Sequence, residues 1–336
     1  MVEKHSKQGT AEEKLNMQDV LSMRSSGYYS QRTAGAKNAI DSVLPLMKEA
    51  VNNLPETEIL RFADYGAADG GTSAELWADL ISSLRKGGDA RHTELLYTDL
   101  PSNDFSTLFK TMQGMEGDPS NAYQVNNENV FVHGCGTGFH RQLMASNSLS
   151  LGFSATAMHY VSEKPCEIED HVHMVGAAPD ERAQFAQRAA EDWEKILLAR
   201  AAEMKSGSQF IVLNFGIDEQ GRYLGHTGGH SMFDKFTQHW RALLNADRIT
   251  QEEFRRATFV QHYRTLDEFK APFDNHDTPV MKAGLRLKSA RTQLTKCPYQ
   301  MAFIESDGAM SASQYAISLI PTMRSCSETV FLSALS

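Results

Sequence analysis

An acidic residue, a glycine-rich turn and a second acidic residue follow one another in the first third of this sequence. Asp64 lies near the end of a short apolar segment, residues 59–65, which leads into the turn Gly-Ala-Ala-Asp-Gly-Gly at 66–71. Asp99 ends the next apolar segment, 94–98. Glycines let the backbone approach a ligand closely, and a helix that follows such a turn presents free N–H groups. An acidic residue after the second strand is placed to accept hydrogen bonds from both hydroxyls of a ribose.

Two details favour S-adenosylmethionine among the cofactors that such a turn can bind. The glycine spacing is not the G-x-G-x-x-G of dinucleotide-binding turns. Asp64 would repel a pyrophosphate, whereas it suits a ligand that carries a cation or an amino-acid group. A nicotinamide-dependent dehydrogenase and a non-catalytic protein that binds S-adenosylmethionine remain as alternatives.

The elements that must position these residues alternate between strands and helices. Strands are predicted at 59–65, 94–98, 130–133, 149–158 and 210–216, and a long helix at 178–204. Thr72 and Glu75 form a capping-box pattern at the start of the helix after the turn, and Gly87-Gly88 ends it. This alternation predicts an α/β fold with a parallel, Rossmann-like sheet of the class I methyltransferase type.

The composition changes after Gly216, where glycine, histidine and charged residues become frequent. Helical pieces at 232–244 and 251–263 indicate an inserted, mainly helical cap over the carboxyl edge of the sheet, and strand–helix alternation is expected to resume at 299–304. The predicted domains are a flexible N-terminal segment (1–27), a core that binds S-adenosylmethionine (28–216), a helical cap insertion (217–290) and a C-terminal return to the core (291–336).

Composition points to a small-molecule partner. The 336 residues carry a formal net charge of −9 and no lysine/arginine block, so the basic face that nucleic-acid binding needs is missing. We expect no membrane partner, because no run of about 18 apolar residues occurs, and residues 1–16 contain no apolar signal core. The cysteines are far apart and form no Cys-x-x-Cys pair, which indicates a reducing compartment, taken here as the cytoplasm. They are Cys135, Cys166, Cys297 and Cys326.

The most specific string in the sequence is Thr-Asp-Leu-Pro-Ser-Asn-Asp-Phe-Ser-Thr-Leu-Phe at 98–109. It is nearly identical to Asn-Asp-Leu-Pro-x-Asn-Asp-Phe-Asn-x-Leu-Phe of the SABATH methyltransferases. This plant-typified family methylates carboxyl groups of salicylic, jasmonic and indoleacetic acids and ring nitrogens of xanthines. Residues 63–73 resemble the family's first motif, Ala-Asp-Leu-Gly-Cys-Ser-Ser-Gly-Pro-Asn-Thr, and weaker matches lie at 137–143, 154–162 and 198–204. The resemblance runs from about Tyr28 to the C-terminus.

The resemblance implies roles for individual residues. Asp99 would hold the ribose of the donor, with Leu100 and Phe139 against its adenine. The full set implied for the donor is Tyr29, Asp64, Gly66, Asp69, Thr72, Asp99, Leu100, Gly138, Phe139, Ser154, Ala155 and Thr156. The set implied for the acceptor is Tyr28, Gln31, His159 and Tyr160, of which the last two are the predicted catalytic residues.

The acceptor residues depart from the family pattern. The family's glutamine, which holds the acceptor carboxylate, would fall on Gly35 or Ala36, and its tryptophan is Tyr160, whose hydroxyl can still donate a hydrogen bond. An ionised carboxylate needs positioning rather than a strong base. A nitrogen, sulfur or carbon acceptor would instead ask for a base, for which His159 is best placed. The sequence predicts a methyl ester of a small carboxylic acid, with N-, S- or C-methylation as the alternative.

Histidines at 171–173 and 225–230 raise the question of a metal site. Both stretches are predicted to be loops with few cysteines nearby, so we expect solvated histidines and no metal site. Glu169 and Asp170 could still help to hold Mg²⁺ beside a phosphate-bearing acceptor. The resemblance alone implies a homodimer.

Overall fold

The carboxyl ends of five parallel strands form the edge at which the motif residues meet. The computed structural model describes residues 34–227 and 229–335, so the N-terminal segment and the expectations for Tyr28, Tyr29 and Gln31 lie outside the described residues. The strands are β1 (Ile59–Tyr65), β2 (His92–Asp99), β3 (Val130–Gly136), β4 (Leu149–Ala155) and β5 (Met204–Leu213). Their order is β3-β2-β1-β4-β5, with parallel pairing throughout. The order reverses between β1 and β4, which is where open α/β sheets bind ligands. The Rossmann-like fold is confirmed.

Helices cover both faces of this sheet. Those of the core are α1 (Ala34–Asp41), α2 (Leu44–Asn52), α3 (Ala74–Lys86), α4 (Phe105–Met112), α5 (Tyr123–Asn126) and α6 (Pro179–Glu203). Successive side chains of a strand point to opposite faces. Phe62 of β1 therefore packs with α3, where its ring stacks on Trp77 at 5.7 Å, while Tyr65 packs in the cluster that α6 covers. This core, packed on both faces of the sheet, supports the carboxyl edge at which the motif residues meet.

The start of α3 differs from the capping box predicted for Thr72 and Glu75. The helix begins at Ala74, and its N-cap residue is Ser73, which has helical backbone angles and no side-chain cap. The hydroxyl of Ser73 donates instead to Oδ2 of Asp64 at 2.6 Å. A hydrogen bond to a carboxylate is stronger than one to a neutral acceptor, so the buried acid fixes the start of the helix.

Strand β4 ends at Ala155, three residues before the predicted Met158. Thr156 adopts a φ of +51°, in the left-handed region that interrupts an extended strand. Its backbone N–H still donates to the carbonyl of Leu213 at 2.7 Å, so the chain stays attached to the end of β5. The following residues, 157–161, are thereby turned over the carboxyl edge of the sheet.

The residues after β5 build a cap around an aromatic cluster. Its helices are α7 (Met232–Asn245), α8 (Gln251–Arg256), α9 (Leu266–Lys270) and α10 (Pro279–Lys282), and its short strands are β6 (Gly216–Ile217), β7 (His226–Thr227), β8 (His230–Ser231) and β9 (Arg264–Thr265). Phe233, Trp240, Phe259 and Tyr263 are buried together. The helix predicted over 251–263 ends at Arg256, because the backbone of 260–262 pairs with 159–161 instead.

The C-terminal residues form two helices, α11 (Pro298–Glu305) and α12 (Ala312–Ala334). The strand–helix alternation predicted at 299–304 is therefore wrong. A short apolar run does not distinguish strand from helix, and Pro298 occupies the first turn, where proline suits a helix. Val330 and Ala334 of α12 belong to the aromatic cluster of the cap.

Candidate active site

The turn between β1 and α3 is fixed to the end of β2. The N–H groups of Gly66 and Ala67 donate to the carbonyl of Thr98 at 2.8 and 3.1 Å. Gly66 has a φ of +77°, and a Cβ built on it would lie 2.4 Å from the Cβ of Ala157. Any side chain at this position would therefore push the turn away from the segment that follows β4.

Two residues of the 98–109 string hold Ala68 in the middle of the turn. Oδ2 of Asp99 accepts from the N–H of Ala68 at 2.7 Å, and the side-chain amide of Asn103 donates to its carbonyl at 2.7 Å. Oδ1 of Asp99 accepts from the N–H of Leu100, also at 2.7 Å. Burial raises the pKa of Asp99, and these backbone N–H groups oppose the rise. Each carboxylate oxygen keeps a lone pair that can accept from a ribose hydroxyl.

Asp64 lies beneath the turn and is only 2% exposed. Its Oδ2 accepts from the hydroxyl of Ser73 at 2.6 Å and from the indole N–H of Trp77 at 2.8 Å. Burial raises the pKa of Asp64 to about 6, against the lowering effect of these two donors. Ser73 and Trp77 were not anticipated as partners, and their role in positioning the acid could be read only from the fold.

The residues expected around adenine lie next to one another. A Cβ on Gly138 would be 3.5 Å from Cδ2 of Leu100, and the ring of Phe139 lies 3.5 Å from the Cβ position of Gly66. The loop that carries Gly138 and Phe139 joins β3 to β4. The donor-side residues of three separate motifs are thus brought to one place.

A buried ion pair on α6, between Arg200 and Glu203, holds this loop in place. Nη1 of Arg200 donates to the carbonyl of Phe139 at 2.8 Å, and Nη2 donates to that of Arg141 at 2.6 Å. Nε of Arg200 pairs with Oε2 of Glu203 at 2.7 Å, and the hydroxyl of Tyr65 donates to the same oxygen at 2.5 Å. The weak motif match at 198–204 was the only sequence signal for this network.

The residues at the end of β4 are predicted to contact the donor. The hydroxyl of Ser154 donates to the carbonyl of Tyr65 at 2.8 Å, which joins β4 to β1 at the switch point. Ala155 and Thr156 are buried beside it, as are Thr72 and Asp69 of the turn. Oδ1 of Asp69 accepts from the N–H of Gly71 at 3.1 Å. The contact of these five residues with the donor stays a prediction.

His159 is 2% exposed and lies under an aromatic lining. Its Nδ1 is 3.1 Å from Oδ1 of Asn214, and its ring centroid is 4.6 Å from that of Tyr160 and 4.9 Å from that of Phe215. Burial lowers the pKa of His159 to about 3, so the imidazole is neutral at physiological pH. Nη1 of Arg264 donates to the preceding carbonyl, that of Met158, at 2.8 Å and so positions the segment.

Tyr160 is half-buried and pairs with the cap. The N–H of Val161 donates to the carbonyl of Val260 at 3.2 Å, and the N–H of His262 donates to that of His159 at 2.9 Å. These two bonds flank an antiparallel bridge between Tyr160 and Gln261. Residues that face each other between such bonds have side chains on the same face of the ladder. Gln261 is therefore a neighbour of Tyr160, which no sequence motif indicated.

The family model that describes S-adenosylmethionine-dependent carboxyl methyltransferases matches residues 17–329. The chain belongs to this family. The methyltransferase FUS9 of Gibberella fujikuroi is 28% identical to this methyltransferase over 76% of the chain and 70% of the relative. The farnesoic acid carboxyl-O-methyltransferase of Arabidopsis thaliana is 23% identical over 80% of each. The solved structure of a loganic acid methyltransferase with SAH shares the fold, with a TM-score of 0.68, 17% identity, and coverage of 94% of this chain and 91% of that one.

The SABATH resemblance is thus confirmed, and the dehydrogenase alternative is wrong for this S-adenosylmethionine-dependent methyltransferase. Its residues fit the donor. Gly66 leaves a space that a Cβ would fill, and the carboxylate oxygens of Asp99 can still accept hydrogen bonds from ribose hydroxyls. Leu100 lies against Gly138 and the ring of Phe139 lies against Gly66, so both offer apolar contacts near the turn.

The histidines of this methyltransferase do not lie where the sequence indicated. His171 and His173 are 9% and 0% exposed, so the expectation of solvated histidines is wrong for this pair. The ring of His173 stacks on Phe233 at 3.8 Å, because the cap cluster closes over the segment. Among the residues described, no group of three histidine, cysteine or acidic side chains could hold a metal ion. Glu169 and Asp170 are paired with arginines, Arg255 at 3.1 Å and Arg241 at 3.2 Å.

None of the described helices of this methyltransferase combines the length and the apolar character needed to cross a membrane.

Proposed function

We propose that this methyltransferase transfers the donor's methyl group to the carboxylate of a small organic acid and so forms a methyl ester. The observation that carries the proposal is the match of residues 17–329 to the family model of carboxyl methyltransferases. His159, the predicted catalytic residue that lies nearest the end of β4, is buried with its Nδ1 3.1 Å from Oδ1 of Asn214, and burial lowers its pKa. A carboxylate attacks as the anion that it already is at neutral pH, so it needs no proton acceptor. The family and the names of its farnesoic acid and loganic acid relatives support this choice.

The chain's own residues account for donor binding. Bound S-adenosylmethionine supplies a methyl group on a positively charged sulfur. Asp99 accepts the ribose hydroxyls, while Leu100 and Phe139 enclose the adenine. We expect the turn at 66–72 and the end of β4 to enclose the methyl group and to exclude water from it. The result is a fixed line of approach for the acceptor.

The acceptor side suits an acid with an apolar body. Tyr160, Phe215 and Tyr263 present aromatic rings around His159, with centroids between 4.6 and 5.6 Å from the imidazole. Such rings bury flat or unsaturated carbon skeletons well. A nitrogen, sulfur or carbon acceptor would be helped by a proton acceptor, and burial, which lowers the pKa of His159 to about 3, makes this imidazole a weak one.

A labelled-methyl screen tests the proposal. The purified protein is incubated with donor labelled in the methyl group and with a panel of acids, together with the amides, amines and thiols of the same carbon skeletons. We expect label only with acids, in products from which mild alkali releases labelled methanol. Label that resists alkali, or transfer to the amines or thiols, would overturn the proposal.

We further propose that the enzyme works in the cytoplasm as a homodimer. All four cysteines are free thiols, which suits a reducing compartment. The dimer follows from the family resemblance, and light scattering on the purified protein checks it: a mass of one chain at micromolar concentration would contradict it. Mg²⁺ at Glu169 and Asp170 is not part of the proposal, because Arg255 and Arg241 already neutralise these carboxylates.

A further inference from the structure

Several buried polar atoms around His159 and Tyr160 lack hydrogen-bond partners. Within the part of the chain that the structure describes, these atoms are Nδ2 of Asn214, Oε1 of Gln261, Nε2 of His173 and Nδ1 of His262. Buried polar groups in proteins are nearly always paired, since an unpaired one loses its interaction with water without replacement. Two of them, Nε2 of His173 and Oε1 of Gln261, approach each other. The buried NH₂ of Asn214, beside the predicted catalytic residues, indicates a polar ligand group that pairs with it.

Asn214 directly follows β5 and has a fixed orientation. Its Oδ1 is 3.1 Å from Nδ1 of His159. The neutral imidazole donates its proton to this oxygen, which assigns the tautomer. The amide group of Asn214 is thereby held with its NH₂ turned away from the ring, as a buried donor without an acceptor.

Gln261 is oriented by a second histidine. The N–H of Val175 approaches Nδ1 of His173 at 3.3 Å, so the ring proton resides on Nε2. Gln261 is close enough to raise the pKa of His173, although burial lowers that pKa by more. The two groups face each other at a geometry that leaves Nε2 of His173 and Oε1 of Gln261 without a well-formed bond. The oxygen of Gln261 is thus directed to His173, and its NH₂ is left for another acceptor.

The nearest buried cation is Arg264, which uses both terminal nitrogens on backbone carbonyls, those of Met158 at 2.8 Å and Ala189 at 2.6 Å. Its Nε is buried without a partner among the described residues. The two side chains assigned here, Asn214 and Gln261, are neutral amides. Neutral amides orient a carboxylate without forming an ion pair, so its oxygen keeps its nucleophilic electrons for the methyl group.

We propose that Asn214 and Gln261 donate the hydrogen bonds that hold the acceptor's carboxylate beside Tyr160. One amide comes from the carboxyl end of β5 and the other from the cap, on either side of the His159–Tyr160 segment. Each can donate to one carboxylate oxygen. This assignment deepens the proposed function and rests on it, because a carboxylate offers one oxygen to each donor, whereas an amine or a thiol has a single acceptor atom, the one that would attack the methyl group.

The test replaces each amide by leucine, which has similar size and no donor. For Asn214→Leu and Gln261→Leu we expect KM for an accepted acid to rise by about ten- to a hundredfold, the range of a lost hydrogen bond to a charged group. The affinity for S-adenosylhomocysteine stays as in the wild type. The wild type binds the acid more tightly than its methyl ester, and both variants lose this preference. Gln238→Leu, an exposed glutamine on α7, is the matched control and changes none of these quantities.

Gln261→Glu covers the case in which a leucine variant fails to fold. Glutamate keeps an acceptor for His173 but repels an incoming carboxylate, so acid turnover falls while S-adenosylhomocysteine still binds. The assignment is overturned if the folded variants keep both the KM and the preference for acid over ester. A wild type that esterifies no acid at all would instead refute the proposed function, so the two failures are distinguishable.

Discussion

Arg200 and Glu203 lie one helical turn apart on α6, and Nε of Arg200 is 2.7 Å from Oε2 of Glu203 although neither side chain has exposed surface. Nη1 of Arg200 also donates to the carbonyl of Phe139 at 2.8 Å, and Oε1 of Glu203 accepts from the backbone N–H of Leu143. Residues 139–143 of the loop expected at the adenine are therefore held from α6. The donor site depends on a charge pair on the far side of that loop.

Removing one partner of this pair leaves a buried, uncompensated charge. Glu203→Gln should lower the free energy of unfolding by about 3–5 kcal/mol and weaken the binding of S-adenosylhomocysteine. Urea unfolding and calorimetry measure the two effects. The control is Asp277→Asn, which breaks the exposed pair with Lys282 and should change stability by less than about 1 kcal/mol. Equal, small effects of both variants would show that the buried pair does not hold the loop.

Gly66 is expected to tolerate no side chain. In Gly66→Ala the new Cβ meets that of Ala157 at 2.4 Å, in addition to the strain of a φ of +77°. Gly88→Ala separates the two effects, because Gly88 has a φ of +84° with nothing within 4 Å of the built Cβ. The control should lose about 1–2 kcal/mol of stability from backbone strain alone. Gly66→Ala should lose more and also bind S-adenosylhomocysteine more weakly; identical losses would rule out the close approach.

Asp64 should make the protein less stable as the pH rises from about 4 to 6. Its pKa in the fold is about 6, above the ordinary 3.8, so within this window the folded state binds more protons than the unfolded state. Asp64→Asn keeps an acceptor for Ser73 and Trp77 and removes this penalty. It should raise the free energy of unfolding at pH 7 by up to about 3 kcal/mol, which is the free energy equivalent of the pKa shift of Asp64. Unfolding in urea at pH 4 and 7 measures the slope of stability against pH, and the loss of stability with rising pH should be smaller in the variant than in the wild type; an unchanged slope would contradict the burial effect.

The same variant tests the predicted contact of Asp64 with the donor. If the acid makes that contact, Asp64→Asn loses affinity for S-adenosylhomocysteine while it gains stability. A gain in stability with unchanged affinity would assign Asp64 to the anchoring of α3 alone.

His159 should not titrate in the working range of the enzyme. Its pKa is held at about 3 by burial, against an ordinary value of 6.5. The dependence of kcat/KM on pH should therefore show no inflection from this group between pH 6 and 8. Profiles of the wild type and of His159→Asn, each measured with one accepted acid, make the comparison. An inflection near 6.5 that disappears in the variant would mean that His159 works as a base.

The contacts that could be predicted from the sequence were those marked by a local pattern of residues, whereas contacts made through the packing of separate elements could not be predicted. The turn after β1 and Asp99 after β2 were predictable because a local pattern of apolar runs, glycines and acids marks them. The partners of Asp64 and Ala68 were not, since Ser73, Trp77 and Asn103 reach them only through the packing of α3 and α4.

The cap was the least predictable region for the same reason. Residues 258–263 carry a helical pattern that pairing with 159–161 overrides. The pairing also places Gln261 beside Tyr160, 101 positions earlier in the chain. Contacts between segments so far apart leave no periodic signal in either one.

The most direct test of the central claim follows the atoms of one reaction. An accepted acid with both carboxyl oxygens as oxygen-18 is incubated with donor labelled with carbon-13 in its methyl group, and the product is analysed by mass spectrometry. Methyl transfer to the carboxylate predicts an ester that keeps both heavy oxygens and gains one labelled methyl, with one heavy oxygen lost to labelled methanol in alkali. A labelled methyl group that stays on the carbon skeleton, or on nitrogen or sulfur, after the same treatment would contradict the account.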